Sequence, residues 1–197
     1  MPAAERRVTK ADILPAAQFA AERKQRRAVL LPKKKLRRVE VGPYCCFYFE
    51  SFDTMFFQVQ EMLHIEKGGA EQVEDELAAY NPLIPRGDEL VATIMFEIDD
   101  ERRRTRELGR LGGVEDKFFI QISAEKVFGE QESDVERTRE DGKASSVHFA
   151  HFRFSKAQQA AFVDPSAQVL IGVDHPAYAH MNAPSIGARM ELATDFA

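Results

Sequence analysis

The chain predicts an α+β fold: a mixed, mostly antiparallel sheet with helices packed on it. Three observations predict it. Strand-like runs and helix-like runs are interleaved without strict βαβ alternation. Turn signals such as Gly42-Pro43 join neighbouring strand runs as hairpins, the mark of antiparallel pairing. The 197 residues are 44% hydrophobic and 30% charged, ordinary globular usage for a chain that needs no disulfide or metal staple. With 15 Phe and no Trp, the core is expected to be built largely from Phe.

In chain order, Thr9-Lys10-Ala11-Asp12 has the form of a capping box and predicts a helix running to Leu31, stopped by Pro32. Leu36–Val41 and Tyr44–Glu50 follow as two strands of a hairpin. The spacing of Phe52, Phe56, Val59 and Leu63 predicts a helix over Asp53–Lys67 with that face inward, closed by Gly68-Gly69. A second helix over Glu71–Tyr80 ends at Asn81-Pro82. Leu90–Ile98 is predicted as a strand, and Asp99–Leu111 as a helix closed by Gly112-Gly113. Phe118–Ser123 is a strand with a return at Val127–Gly129. Ser133-Asp134-Val135-Glu136 caps a short helix ending near Gly142. Ser146–Phe154 is a strand, Ser155 caps another short helix, Gln168–Val173 is the last strand, and a helix after Ser185 closes the chain. The whole predicts a sheet of about five to seven strands.

Charge divides the sequence. Residues 1–40 hold 12 Lys/Arg against 4 Asp/Glu, a net of +8; the remainder holds 15 against 28, a net of −13. The expected organisation is a basic N-terminal helical arm, 1–35, and a single α+β domain, 36–197. The arm is expected to dock on its own acidic body or on a twin subunit in a homo-oligomer. Nucleic acid is not expected as a specific partner, because an acidic body repels phosphate. The adjacent Cys45 and Cys46 are expected as ordinary thiols in a reducing compartment. No apolar run resembles an export signal or a membrane span, so a cytoplasmic location is expected, without membrane association.

Several motifs have the letters of a site. Glu61-Met62-Leu63-His64 matches a di-iron half-site, but both residues lie off the apolar stripe and there is no second copy. A surface pair is the better expectation. The acidic cluster Glu97, Asp99, Asp100 and Glu101 suits a helix start. Arg86-Gly87-Asp88 is expected as a turn. Gly142-Lys143-Ala144-Ser145 lacks the upstream glycine of a phosphate loop. His148 and His151 lie three apart on a strand and so point to opposite faces. Asp174–His180, with two histidines, is expected as a loop beyond a strand end, where functional groups concentrate.

The runs Val39–Pro43, Gln58–Leu63, Leu77–Pro85, Asp141–Phe149 and Gly172–Pro176 resemble a bacterial family known only as a domain of unknown function, number three-five-zero-one. The resemblance supplies no catalytic residues. It implies a bacterial cytoplasmic protein in a redox or iron context, with rubrerythrin-like or iron–sulfur proteins as partners through gene neighbourhood.

Two loop-to-strand boundaries, near His148 and near His175, carry most of the short polar side chains. The expectation is one cleft framed by both. His148, His175 and His180 would be ligands for zinc or iron, and Lys143, Ser145, Ser146 and Tyr178 would bind an anion. The functional expectation is an accessory binding protein with that histidine-lined site. The alternatives are an interaction module docking redox partner subunits, and an enzyme using His148, His175 or His180 as general base.

Overall fold

The computed structural model describes residues 2–131 and 143–196. The helix expected from Ser133 to Gly142 lies outside them. The chain divides into two compact units, Met1–Lys35 with Glu50–Arg86, and Leu36–Phe49 with Gly87–Ala197. The expected boundary after residue 35 is thus one crossing among several. Residues 50–86, assigned from sequence to the larger domain, group with the basic segment.

The first unit is helical. It holds α1 (Pro2–Glu5), a 3-10 turn (Lys10–Asp12), α2 (Ala16–Leu36, whose last residue belongs to the second unit), α3 (Phe52–Glu66), α4 (Gly69–Tyr80) and a 3-10 turn (Asn81–Leu83). The Thr9 capping box is present, with Asp12 Oδ2 accepting from Thr9 N at 2.8 Å, but it closes only the 3-10 turn. The long helix starts after Pro15 and passes through Pro32 to Leu36. Proline removes one backbone N–H donor. Here Pro32 and Ala28 are both exposed, so the carbonyl left over can be hydrated.

Three contacts pin the N-terminal segment. The Asn81 side chain accepts from Val8 N at 2.8 Å and donates to Val8 O at 2.9 Å, imitating a strand pairing. Arg6 Nη1 donates to Pro85 O at 3.0 Å. Lys10 forms an ion pair with Glu74. Val8 is buried as a result.

Helix α3 starts at a Ser51/Thr54 box, Thr54 N donating to Ser51 Oγ at 3.2 Å and Ser51 N to Thr54 Oγ1 at 2.9 Å. Its deepest side chains are Thr54, Met55, Val59 and Gln60, while Phe52, Phe56 and Leu63 are half-buried. The expected stripe is therefore rotated. The flank read from sequence as solvent-facing meets α2: Phe19 lies 5.9 Å from the Phe57 ring and 5.8 Å from that of His64. Two helix neighbours give α3 two buried flanks, and a single-stripe rule assumes one.

Among the described residues the second unit holds two sheets, with every pairing antiparallel, in place of one mixed sheet. Its strands are β1 (Arg38–Val41), β2 (Cys45–Phe49), β3 (Glu89–Phe96), β4 (Phe118–Ile122), β5 (Glu125–Phe128), β6 (Glu130–Gln131), β7 (Val147–Arg153), β8 (Val169–His175) and β9 (Tyr178–Asn182). One sheet runs β1-β2-β3-β7-β6 and the other β5-β4-β8-β9. Among its described residues the unit also holds helices α5 (Glu101–Leu108), α6 (Lys156–Val163) and α7 (Ile186–Ala193) and a 3-10 turn (Val114–Lys117). The core between the sheets is rich in phenylalanine, as expected, with Phe47 edge-on to Phe118 at 5.8 Å. Buried Arg37 ties β1 to the chain end, donating to both carboxylate oxygens of Asp195 at 2.9 and 2.8 Å. Among the described residues no helix is long and apolar enough to cross a membrane.

Candidate functional site

Strand alternation places the histidines of β7. His148 is fully buried on the face of Ala150 and Phe152, and His151 points the other way, as expected. His151 Nδ1 lies 3.0 Å from Glu89 Oε2, a carboxylate that is itself buried. His148 Nε2 lies 2.9 Å from Ser145 O. A carbonyl only accepts, so that nitrogen carries the proton. The ring stands edge-on to Phe118 at 5.3 Å and Phe96 at 5.9 Å. Ser145 Oγ accepts from Val147 N at 3.1 Å, Ser146 O accepts from Phe96 N at 2.9 Å, and Lys143 is half-buried.

The segment after β8 is not a loop. Ile171–His175 pairs with Tyr178–Asn182 across a two-residue turn, His175 opposite Tyr178 and Val173 opposite His180. Opposed residues share a face, as do residues two apart. His175, Tyr178 and His180 therefore lie on one side of this hairpin. The strand was hidden because Pro176 and four exposed residues of β9 look like loop composition.

Both nitrogens of His175 are engaged. Nε2 donates to Gly112 O at 3.2 Å, and Nδ1 accepts from Ala177 N at 3.1 Å. That fixes a neutral ring in one tautomer. The Tyr178 hydroxyl donates to Val41 O at 2.6 Å and accepts from Cys45 N at 3.0 Å. Burial pushes this phenol well up, so it remains a neutral donor. Its ring packs on His180 at 4.5 Å and Tyr44 at 4.7 Å. Gly42 makes the approach feasible. Its φ is +71°, and a Cβ there would sit 2.6 Å from both His180 Cγ and Tyr178 Oη.

The predicted residues thus form two groups, His148 with Ser145, and His175 with Tyr178 and His180. The Phe96 ring is edge-on to both His148 and Tyr178, at 5.9 and 5.8 Å, and joins the groups through an apolar contact. Among the described residues, no three His, Cys, Asp or Glu side chains are placed to hold a metal ion. The chemistry of this arrangement is that of fasteners, polar side chains satisfying main-chain groups of the hairpins. Sequence reasoning named the residues but missed Phe96 and Gly42; the positive φ of a turn glycine was the available signal.

Helix α2 presents the other candidate. Toward α3 its cations are matched. Arg23 donates to both oxygens of Glu61 at 2.6 and 2.7 Å, and Lys33 lies 2.6 Å from Asp53. The Arg23 hydrogen bond holds the Glu61 carboxyl below its ordinary range. Arg26 pairs with Glu22 on its own helix at 2.6 Å. The Arg23 pair and the Phe19–His64 ring contact make Glu61 and His64 parts of a helix–helix contact. Beside that flank, helical spacing puts Lys34, Arg27, Leu31, Lys24 and Lys35 in one adjoining sector, which begins about 20° from Arg23. All five are exposed, and the four cations form no ion pair with the described residues.

No curated protein matches the chain. A crystal structure of a novel protein of unknown function from Burkholderia pseudomallei K96243, at 1.90 Å resolution, is similar over 96% of this chain and 99% of that one. The identity is 34% and the TM-score 0.87. The family model described as "Protein of unknown function (DUF3501)" matches residues 7–196. It is the family that the five sequence runs resemble, and the chain belongs to it.

Proposed function

We propose that this protein is an interaction module that holds an acidic protein surface against the outer face of α2. The observation that carries the reading is the division of charge around that helix. Among the described residues the ion pairs of α2 lie toward α3 or within the helix, while Lys24, Arg27, Lys34 and Lys35 surround the half-exposed Leu31 on the adjoining sector. Cations around an apolar side chain supply both steering and a dry contact. A nucleic-acid partner is disfavoured. The second unit carries 15 Lys/Arg and 21 Asp/Glu, a net of −6, which works against a polyphosphate. The redox and iron-related proteins implied by the family resemblance are the partners to test first.

The histidine-lined metal reading has less support, because His175 offers no uncommitted nitrogen and His148 is sealed in the core. The test is titration of purified rubrerythrin-like and iron–sulfur candidates against wild type and the Lys24→Glu/Lys34→Glu/Lys35→Glu variant. The reading expects a salt-sensitive complex weakened about tenfold or more by the reversal. A complex indifferent to the reversal would remove α2 as the docking face. Stoichiometric zinc or iron in wild type, lost in His175→Ala, would restore the metal reading.

A further inference from the structure

The exposed sector of α2 extends beyond its cations. Ala17, Ala20, Lys24, Arg27, Leu31 and Lys34 follow one another at alternating steps of three and four residues, and all six are exposed. That is the step pattern of a coiled-coil seam, with its repeat of about 3.5 residues per turn. At about 1.5 Å per residue the seam is roughly 25 Å long. Its N-terminal third is alanine, and the rest sets three cations around Leu31. Lys24 and Lys34 make no ion pair or side-chain hydrogen bond with the described residues. Arg27 feels Glu61, but Arg23 already takes both oxygens of that carboxylate.

We propose, resting on α2 as the docking face, that the partner lays one acidic amphipathic helix along this seam, antiparallel to α2. Three observations lead there. First, a second helix rises at the same rate as α2 and can meet every seam position. An extended chain turns a side chain to the same face only every 6.6 Å or so, and falls out of step. Second, Ala17 and Ala20 carry no side chain beyond Cβ, so a helix axis can approach toward the near end of the usual range, about 8 Å. A lipid surface needs large apolar groups instead, and Leu31 is the one such group in the seam. Third, the cations sit in the C-terminal part of α2, whose last turn is basic. An antiparallel partner meets them with its N-terminal half, where its own dipole favours carboxylates. The partner helix therefore reads acid, apolar, acid, acid, apolar, apolar from its N-terminus, opposite Lys34, Leu31, Arg27, Lys24, Ala20 and Ala17.

The test uses the full chain and a designed peptide of roughly 20 residues, long enough to hold a helix alone. It carries Glu opposite the three cations and Leu opposite Leu31, Ala20 and Ala17. Two controls of the same composition have that order reversed or scrambled. Calorimetry and amide chemical shifts should show one saturable site, with shifts at Ala20 and Leu31, about tenfold or more tighter than for either control. Ala17→Gln/Ala20→Gln blocks the close approach from exposed positions without touching a charge, and should weaken the peptide by about tenfold or more. Gln25→Ala, exposed outside the seam, should leave binding unchanged. The proposal is overturned if the peptide does not bind, or if either control binds as tightly. It is also overturned if the double alanine variant, shown folded by its melting curve, binds as wild type does. Tighter binding to phosphatidylserine vesicles or to a single-stranded oligonucleotide than to the peptide rejects it in favour of those partners. A dimer of the chain that the alanine variant splits in sedimentation would give the seam to a second copy instead. A protein complex lost on reversal of the cations, with no preference among the peptides, would keep α2 as the docking face and remove the helix.

Discussion

The β8–β9 hairpin and helix α2 are both rich in side chains that do chemistry elsewhere, yet they differ in what those atoms have left to offer. In the hairpin, His175 and Tyr178 direct their polar atoms to main-chain groups: Gly112 O, Ala177 N, Val41 O and Cys45 N. Arg189, on α7, does likewise, donating to the carbonyls of Phe162, Asp164 and Ala167. On α2 the reverse holds. One flank is matched by carboxylates and the other leaves its cations to solvent. Residue type announces chemistry; the partner of each atom decides whether that chemistry is available to a ligand or already engaged in holding the fold.

If the second unit is held by such engaged groups, removing them should be costly. The largest effect is expected at Arg37. Both it and Asp195 are buried, at 2% and 7% exposure, so Asp195→Ala leaves a buried guanidinium without the carboxylate that accepts two of its hydrogen bonds. Breaking one side of a buried pair costs roughly 3–5 kcal/mol. Chemical denaturation of the variant checks it, and a loss below about 1 kcal/mol would show that solvent reaches the pair.

Next comes Tyr178→Phe. It keeps the ring against Tyr44 and His180 but strands Val41 O and Cys45 N, for a loss of about 1–3 kcal/mol. Gly42→Ala should act through the same hydroxyl, because its Cβ would displace Tyr178 Oη as well as strain a φ of +71°. The double variant should therefore lose less than the two single losses added. Strict additivity would separate the turn from the tyrosine and break the picture of a single fastener.

Much of this architecture was legible in the sequence. The Gly42-Pro43 hairpin, the alternation that separates His148 from His151, and the Ser155 helix start all follow from local rules. What could not be read was set by partners distant in sequence. Asn81 bonds to Val8 over 73 positions, and Tyr178 to Val41 over 137. The rotation of α3 depends on α2 approaching Phe57 and Glu61, which no periodicity within α3 encodes. Strand β9 was hidden because its outward residues are polar and Pro176 opens it; a short, exposed edge strand carries almost no hydrophobic signal. A histidine that fastens main-chain groups carries the same sequence signature as one that binds a ligand, until its acceptor atoms are known.

The smallest expected effect tests the matched flank of α2. Glu61 accepts two hydrogen bonds from Arg23, which hold its carboxyl below the ordinary range, with a weaker push from burial the other way. A group whose folded pKa is depressed contributes stability above its unfolded pKa, about 4.3 for glutamate, and loses it as pH falls through the folded value. Wild type should therefore lose part of its stability on acidification from about pH 5 downward. Glu61→Gln should lack that component, so its melting temperature should lie slightly below wild type at neutral pH and converge with it in acid. The pair is partly exposed, Arg23 at 38% and Glu61 at 15%, so the neutral-pH difference should stay within about 1 kcal/mol and shrink with added salt. Lys24→Gln on the unmatched flank should show neither the offset nor the convergence. Equal acid limbs for wild type and Glu61→Gln would mean that the two flanks of α2 do not differ in the way their ion pairs imply.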